Sequence, residues 1–117
     1  MGNDLSIMLF KTLNIPENKR KAIEEFVRVL KEWYGDRVKR VILFGSVARS
    51  DFSEESDIDV LVIADGISTR DVVRAAHKIL LDYGEVIVPI LKSSEEFARY
   101  KHHSFYRTVS REGVIIA

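Results

Sequence analysis

Asp57 and Asp59 stand two residues apart at the start of an apolar run, Ile58-Asp59-Val60-Leu61-Val62-Ile63. Strand alternation puts both side chains on one face. Two carboxylates held that close repel one another unless a cation lies between them. Hard oxygen ligands suit Mg²⁺, which takes one or two carboxylates and completes its shell with water and substrate phosphates. Upstream, Gly45-Ser46 follows a second apolar run, Val41-Ile42-Leu43-Phe44. A glycine there lets another group come close to the backbone. A serine opening a helical turn offers a hydroxyl and free N–H groups to a phosphate. Arg49, one turn on, is expected to point toward the same region. An anion site and a metal site on neighbouring strands are the parts needed to transfer a phosphorus-centred group. Singly, Asp-x-Asp is an ordinary loop or cap and Gly-Ser an ordinary turn; the flanking strands make the combination a candidate site.

The elements around these residues follow from spacing. Val41 to Phe44 and Ile58 to Ile63 read as buried strands, with a polar loop or single helical turn over Ser46 to Ser56 between them. Asn14-Ile15-Pro16-Glu17 opens a helix whose apolar positions, Ala22, Ile23, Phe26, Val27, Leu30, Trp33 and Tyr34, form one buried face ending at Gly35. Leu5 to Leu13 is a short helix or an arm. Ser68 caps a helix through Leu81, and Asp82-Tyr83-Gly84 ends it. Glu85 to Leu91 is a third strand, and Pro89 within it predicts an edge position. Ser93-Ser94-Glu95-Glu96 starts another helix with cap and acidic first turn in order. A last helix spans Phe105 to Arg111, followed by an apolar tail, Val114-Ile115-Ile116. Helices alternating with three strands predict an α/β (α+β) fold, a small two-layer mixed sheet with helices.

Composition narrows the class. The chain has 117 residues, 46% hydrophobic, with Lys+Arg 18 balancing Asp+Glu 18. That predicts one domain over 1–117 with enough apolar surface for a core. The neutral balance argues against a nucleic-acid coat and an acidic tail. With Cys 0 there is no disulfide framework, thiolate metal site or thiol nucleophile. Met1 to Lys11 does not read as a secretory signal, and no apolar run approaches the roughly 18 residues needed to span a membrane. A cytoplasmic protein is expected. No Gly-x-Gly-x-x-Gly follows a strand, no Gly-Lys-Ser/Thr occurs, and no serine sits in a Gly-x-Ser-x-Gly elbow, so dinucleotide, P-loop and hydrolase readings fall away.

Gly45-Ser46, then ten residues, then Asp57-Ile58-Asp59 resembles the signature of the DNA polymerase beta-like nucleotidyltransferase superfamily. Gly45-Ser46-Val47-Ala48-Arg49 and Ser56-Asp57-Ile58-Asp59-Val60-Leu61-Val62 are similar to its minimal nucleotidyltransferase (MNT) branch. The resemblance covers roughly Val38 to Leu91. It implies a nucleotidyltransferase fold, with Gly45 and Ser46 binding the nucleotide triphosphate and Asp57 and Asp59 binding Mg²⁺. Arg49 matches a frequent residue of the branch. It further implies ATP or another NTP as substrate and a partner protein of the HEPN class, the toxin of a toxin–antitoxin pair. The implied antitoxin either transfers AMP to a tyrosine of that toxin or masks it by binding.

One departure stands out. Active members of the superfamily carry a third carboxylate on a following strand. Here that strand reads Glu85-Val86-Ile87-Val88-Pro89-Ile90-Leu91 and offers only Glu85. Glu85 is the candidate for that catalytic role; the alternatives are a solvent-exposed strand-end residue and a site with two carboxylates. A third function, RNA 3′-end nucleotidyl transfer, lacks an evident basic face.

A bare catalytic domain takes its specificity from a partner or from self-association, so a homo-oligomer is also open. Pro89 and the Val114-Ile115-Ile116 tail are candidate contact surfaces, with ordinary packing as the alternative. Lys19-Arg20-Lys21 reads as a solvated face, His77 as structural and Lys101-His102-His103 as a solvated helix end. Tyr100, Phe105 and Tyr106 with Arg99 and Arg107 either pack helices or hold a nucleobase or RNA. Trp33 is expected in the core.

Overall fold

The spacing of apolar residues along the chain builds one sheet with helices on both sides. In the computed structural model, residues 9–49 and 56–117 are described. The start of the expected Leu5 to Leu13 segment and the middle of the Ser46 to Ser56 loop lie outside them; residues 9–12 form a helical turn.

Helix α1 runs Glu17–Tyr34 and buries Ala22, Ile23, Phe26, Val29 and Leu30, three and four residues apart on one face. Strand β1 follows at Val38–Phe44, then a short helix α2 at Gly45–Arg49 and strand β2 at Ile58–Ala64. Helix α3, Thr69–Tyr83, is opened by a capping box in which Ser68 and Asp71 exchange hydrogen bonds. Strand β3 spans Ile87–Lys92. Helix α4, Ser94–Tyr100, opens on a second capping box of Ser93 with Glu96. Helix α5, Ser104–Glu112, leads into strand β4, Val114–Ile115.

The strand order is β3-β2-β1-β4. β1 is antiparallel to β2 and to β4, while β2 and β3 are parallel and joined through α3. Pro89 sits on edge strand β3, where its missing N–H costs no ladder bond on the open side. The expected apolar tail is this fourth strand. Ile42 pairs with Ile115 and Leu43 with Val114, and the Ile116 N–H donates to the Val41 carbonyl at 2.9 Å. Two residues give too short a local signal for a strand; β1 supplies the template.

Alternation divides the sheet residues between two clusters. Val41, Leu43, Ile58, Val60, Val62 and Ile87 pack with α1 and α3 in the main core. Ile42, Leu61 and Ile63 turn the other way, where Phe97 of α4 and Val109 of α5 close over them. The mixed sheet with helices is as the sequence predicts, and the C-terminal helices add a smaller layer on its second face. Two expectations change. Trp33 is 40% exposed and packs edge-on against Tyr34, the residue that meets the core instead. In the basic run only Lys21 is solvated: Lys19 is 2% exposed, and Arg20 donates to the Phe10 and Leu13 carbonyls.

Candidate active site

The site begins where β1 ends. Phe44 lies opposite Asp59 in the antiparallel pair, so the turn at Gly45 is delivered beside the Asp59 side chain. Gly45 has φ +75°, and a Cβ there would stand 2.3 Å from Asp59 Oδ2. Both facts demand glycine: the left-handed backbone disfavours a side chain, and the carboxylate occupies the space one would fill. The chain turns at once into α2, which buries Val47 and Ala48 and leaves Ser46 half-buried. The first N–H groups of a helix have no partner within it. Gly45 and Ser46 thus present polar groups beside a carboxylate, an arrangement suited to a cation bridging phosphate and acid.

Asp59 is half-buried and Asp57 exposed. Burial pushes the Asp59 carboxyl above its ordinary value, the negative charge of Asp57 pushes it further, and Arg49 pulls against both. No hydrogen bond from the described residues offsets this. A carboxylate held against its own preference, beside a second one, fits the donor set of a hard divalent cation. Among the described residues, no third acid or histidine joins them in a metal-binding group.

Arg49 stands between the pair and the C-terminal helix. Its charge acts on Asp59, and its Nη1 lies 3.5 Å from Oε2 of Glu112 at the end of α5. The geometry brings Gly45, Asp59, Asp57 and Arg49 together.

Glu85 is not brought to them. Lys19 Nζ donates to Glu85 Oε1 at 2.7 Å and Asn18 Nδ2 to Oε2 at 2.9 Å, so both carboxylate oxygens belong to α1. Parity explains it. β2 and β3 are parallel with Asp59 beside Val88 and Ile58 beside Ile87. Alternation from Ile87, which faces the main core, turns Glu85 to the α1 side and Val88 to the Asp59 side. On β3 the residue beside Asp59, on its face of the sheet, is Val88.

Lys19 is the residue that sequence reasoning passed over. Its ammonium also donates to the Ser56 carbonyl at 3.1 Å, one residue before Asp57. The signal was present: Lys19 lies three and four residues before Ala22 and Ile23, on the apolar stripe rather than beside it. Glu112 gave no such signal, because only tertiary packing of α5 carries it to Arg49; Phe105 stood among the aromatic and basic residues read as packing helices or holding a base, and the same packing sets its ring against Phe44. His77 is exposed on α3, and His103 packs edge-on against Tyr100 with ring centroids 5.1 Å apart. No helix among the described residues is long and apolar enough to cross a membrane.

Comparison with known proteins agrees with the geometry. The family profile described as "Nucleotidyltransferase domain" matches residues 23–109. The Methanocaldococcus jannaschii protein named "Putative protein adenylyltransferase MJ0604" is 46% identical over 99 residues, covering 85% of this chain and 98% of its own. A second protein of that organism, "Putative protein adenylyltransferase MJ0141", is 38% identical over 75 residues, 61% of this chain and 76% of its own. In fold, the chain is similar to a crystal structure described as that of "a putative nucleotidyltransferase from Sulfolobus solfataricus". The TM-score is 0.51 at 22% identity, over 94% of this chain and 84% of that one. Strand order, the Gly45 turn, the Asp pair and these matches lead to one assignment: the chain belongs to the nucleotidyltransferase domain family.

Proposed function

We propose that this nucleotidyltransferase moves the adenylyl group of ATP to a hydroxyl on a partner protein, with a tyrosine of a HEPN-class toxin as the acceptor implied by the MNT resemblance. The observation that carries the reading is the Asp59 carboxylate, seated against Gly45 beside Asp57 with no hydrogen bond from the described residues. The relatives named as protein adenylyltransferases support a protein acceptor. In this reading Asp57 and Asp59 would hold Mg²⁺. The bound ion would supply positive charge to the phosphate oxygens as pyrophosphate leaves. Gly45 and Ser46 cradle the triphosphate, and Arg49 adds positive charge beside it. The acceptor hydroxyl oxygen forms a bond to the α-phosphorus, the bond from that phosphorus to the bridging oxygen breaks, and pyrophosphate departs. The hydroxyl proton passes to water or to a base of the acceptor protein, because Val88 offers none. The protein works in the cytoplasm, where ATP and its partner are found.

Val88 favours a second reading, that of an antitoxin that neutralises its partner by contact while its nucleotide site turns over slowly or not at all. One experiment separates them. ATP labelled on the α-phosphate is incubated with Mg²⁺, this protein and an extract of its own cells, with Asp57→Ala and Asp59→Ala alongside. Label on one protein, absent with either variant, is the expected result. Transfer that survives both substitutions refutes the catalytic reading; no label, with partner neutralisation retained by Asp57→Ala, establishes the binding module.

A further inference from the structure

We propose that Phe105 is the platform on which the purine base of the nucleotide stacks, an inference that rests on the reading of Gly45, Ser46 and the Asp pair as the triphosphate site. Helix α5 docks on the second face of the sheet through Val109, and its buried Tyr106 packs edge-on against Phe97 of α4. Phe105, the residue before Tyr106, does not share that face. It is 40% exposed, and its ring stands edge-on to Phe44 at 5.7 Å between centroids and 87° between planes. Phe44 is the last residue of β1, bonded to Gly45 and paired with Asp59. An exposed aromatic ring is unremarkable alone; this one is one side chain away from the turn that receives the phosphates. The ion pair of Arg49 with Glu112 ties α2 to the far end of the same helix, so α5 is fixed to the site at both ends.

Phe44 and Tyr106 both meet Phe105 near a right angle, at 5.7 and 5.2 Å between centroids, and leave the residue 40% exposed. A nucleotide whose α-phosphate lies at Asp57 and Asp59 has its base one ribose away, and on the Phe44 side that base comes to the exposed part of Phe105. Stacking on an aromatic ring is how proteins hold a base without reading its edge, since every base presents a π-face. A stacking platform favours a large flat base over a small one.

The test measures dissociation constants for Mg-ATP and for Mg-tripolyphosphate, which has the phosphates and no base, with the unmodified protein, Phe105→Ala and Phe105→Trp. Phe105→Ala should weaken ATP about tenfold, as the loss of one stacked base implies, and leave tripolyphosphate unchanged. Phe105→Trp should restore ATP binding. Equal weakening of both ligands by Phe105→Ala would show that the ring only packs α5 and would overturn the inference, as would ATP binding unchanged in that variant. If the unmodified protein binds neither ligand, the triphosphate reading itself fails and takes this inference with it. That outcome is distinguishable, because it appears before any substitution is made.

Discussion

Two carboxylates lie near the same end of strand β2 and meet opposite treatment. Glu85 faces α1, where Lys19 and Asn18 donate to its two oxygens. Asp59 faces the other side, where it meets Gly45, the opposing charges of Asp57 and Arg49, and no hydrogen bond from the described residues. The first is a finished structural contact. The second is a charge that the fold holds in place against its own preference. A buried pair that is complete contributes order; a carboxylate left unneutralised is what a cation and a phosphate can complete. Acid content alone does not mark a site. What marks it is whether the fold has already spent the charge.

The sharpest way to break this contrast is at Asp59. Asp59→Asn should lower transfer on the order of a thousandfold, the loss of several kcal/mol of phosphate-directed charge stabilisation. Stability should move the other way. An acid whose folded value lies above its unfolded one destabilises the fold at every pH above the unfolded value, and that penalty disappears only as pH falls below it. At neutral pH without divalent cations, Asp59→Asn therefore should melt higher than the unmodified protein. Thermal melts in EDTA, run beside the transfer assay, check both signs. A lower melting temperature would mean that Asp59 has a structural partner after all.

Gly45→Ala tests the same site from the backbone. The substitution adds a Cβ in a left-handed conformation, at about 1–2 kcal/mol, and 2.3 Å from Asp59 Oδ2. The carboxylate must shift. A displacement on the order of 1 Å costs about a hundredfold in rate, so transfer should fall by that factor while most of the protein stays folded. Urea unfolding and initial rates on the same preparation measure the two effects.

Lys19→Met probes the finished contact, and the expected pattern reverses. Removing one partner of a buried pair leaves the other uncompensated, at about 3 kcal/mol here because Glu85 keeps Asn18. Transfer by the folded fraction should fall only about tenfold, through the lost bond to the Ser56 carbonyl before Asp57. The double variant Lys19→Met with Glu85→Leu should regain most of the stability, since no orphan charge remains. Denaturant midpoints of the single and double variants decide this. A double variant as unstable as the single one would show that Lys19 matters for Ser56 rather than for Glu85.

The contrast also explains what the sequence could and could not reveal. Gly45 with Asp57 and Asp59 was legible because each belongs to a local pattern, a strand ending in a turn and a strand opening on acids. Ser68 and Ser93 were legible as caps because a capping box closes within four residues. The engagement of Glu85 with α1 could not be read locally, because its side of the sheet depends on parity and on the parallel register with β2, which no local pattern states. Lys19 was passed over because charge suggested solvent while its spacing placed it on the buried stripe. Strand β4 needs β1 as a template, and the approach of Arg49 to Glu112 needs the whole of α5 in place. Geometry carried by neighbours in sequence was legible; geometry carried by packing was not.

Val88 is where the comparison can be sharpened by addition rather than loss. It lies beside Asp59 in the parallel pair and is 38% exposed on the edge strand, so a charged side chain there keeps contact with water. Val88→Asp places a third carboxylate on the face of the Asp pair, as Glu85 cannot. With Mg²⁺ present, the added oxygen ligand and candidate base should raise transfer several-fold, about tenfold at most, below the full range for a positioned general base because the surroundings are not built for it. Without divalent cations the same variant should melt lower, since three carboxylates then repel one another. Both effects should vanish when Val88→Asp is combined with Asp59→Asn. If Val88→Asp transfers label where the unmodified protein does not, the natural chain is a binding module one side chain short of catalysis. If it changes neither rate nor cation-dependent melting, the side chain at position 88 takes no part in the site.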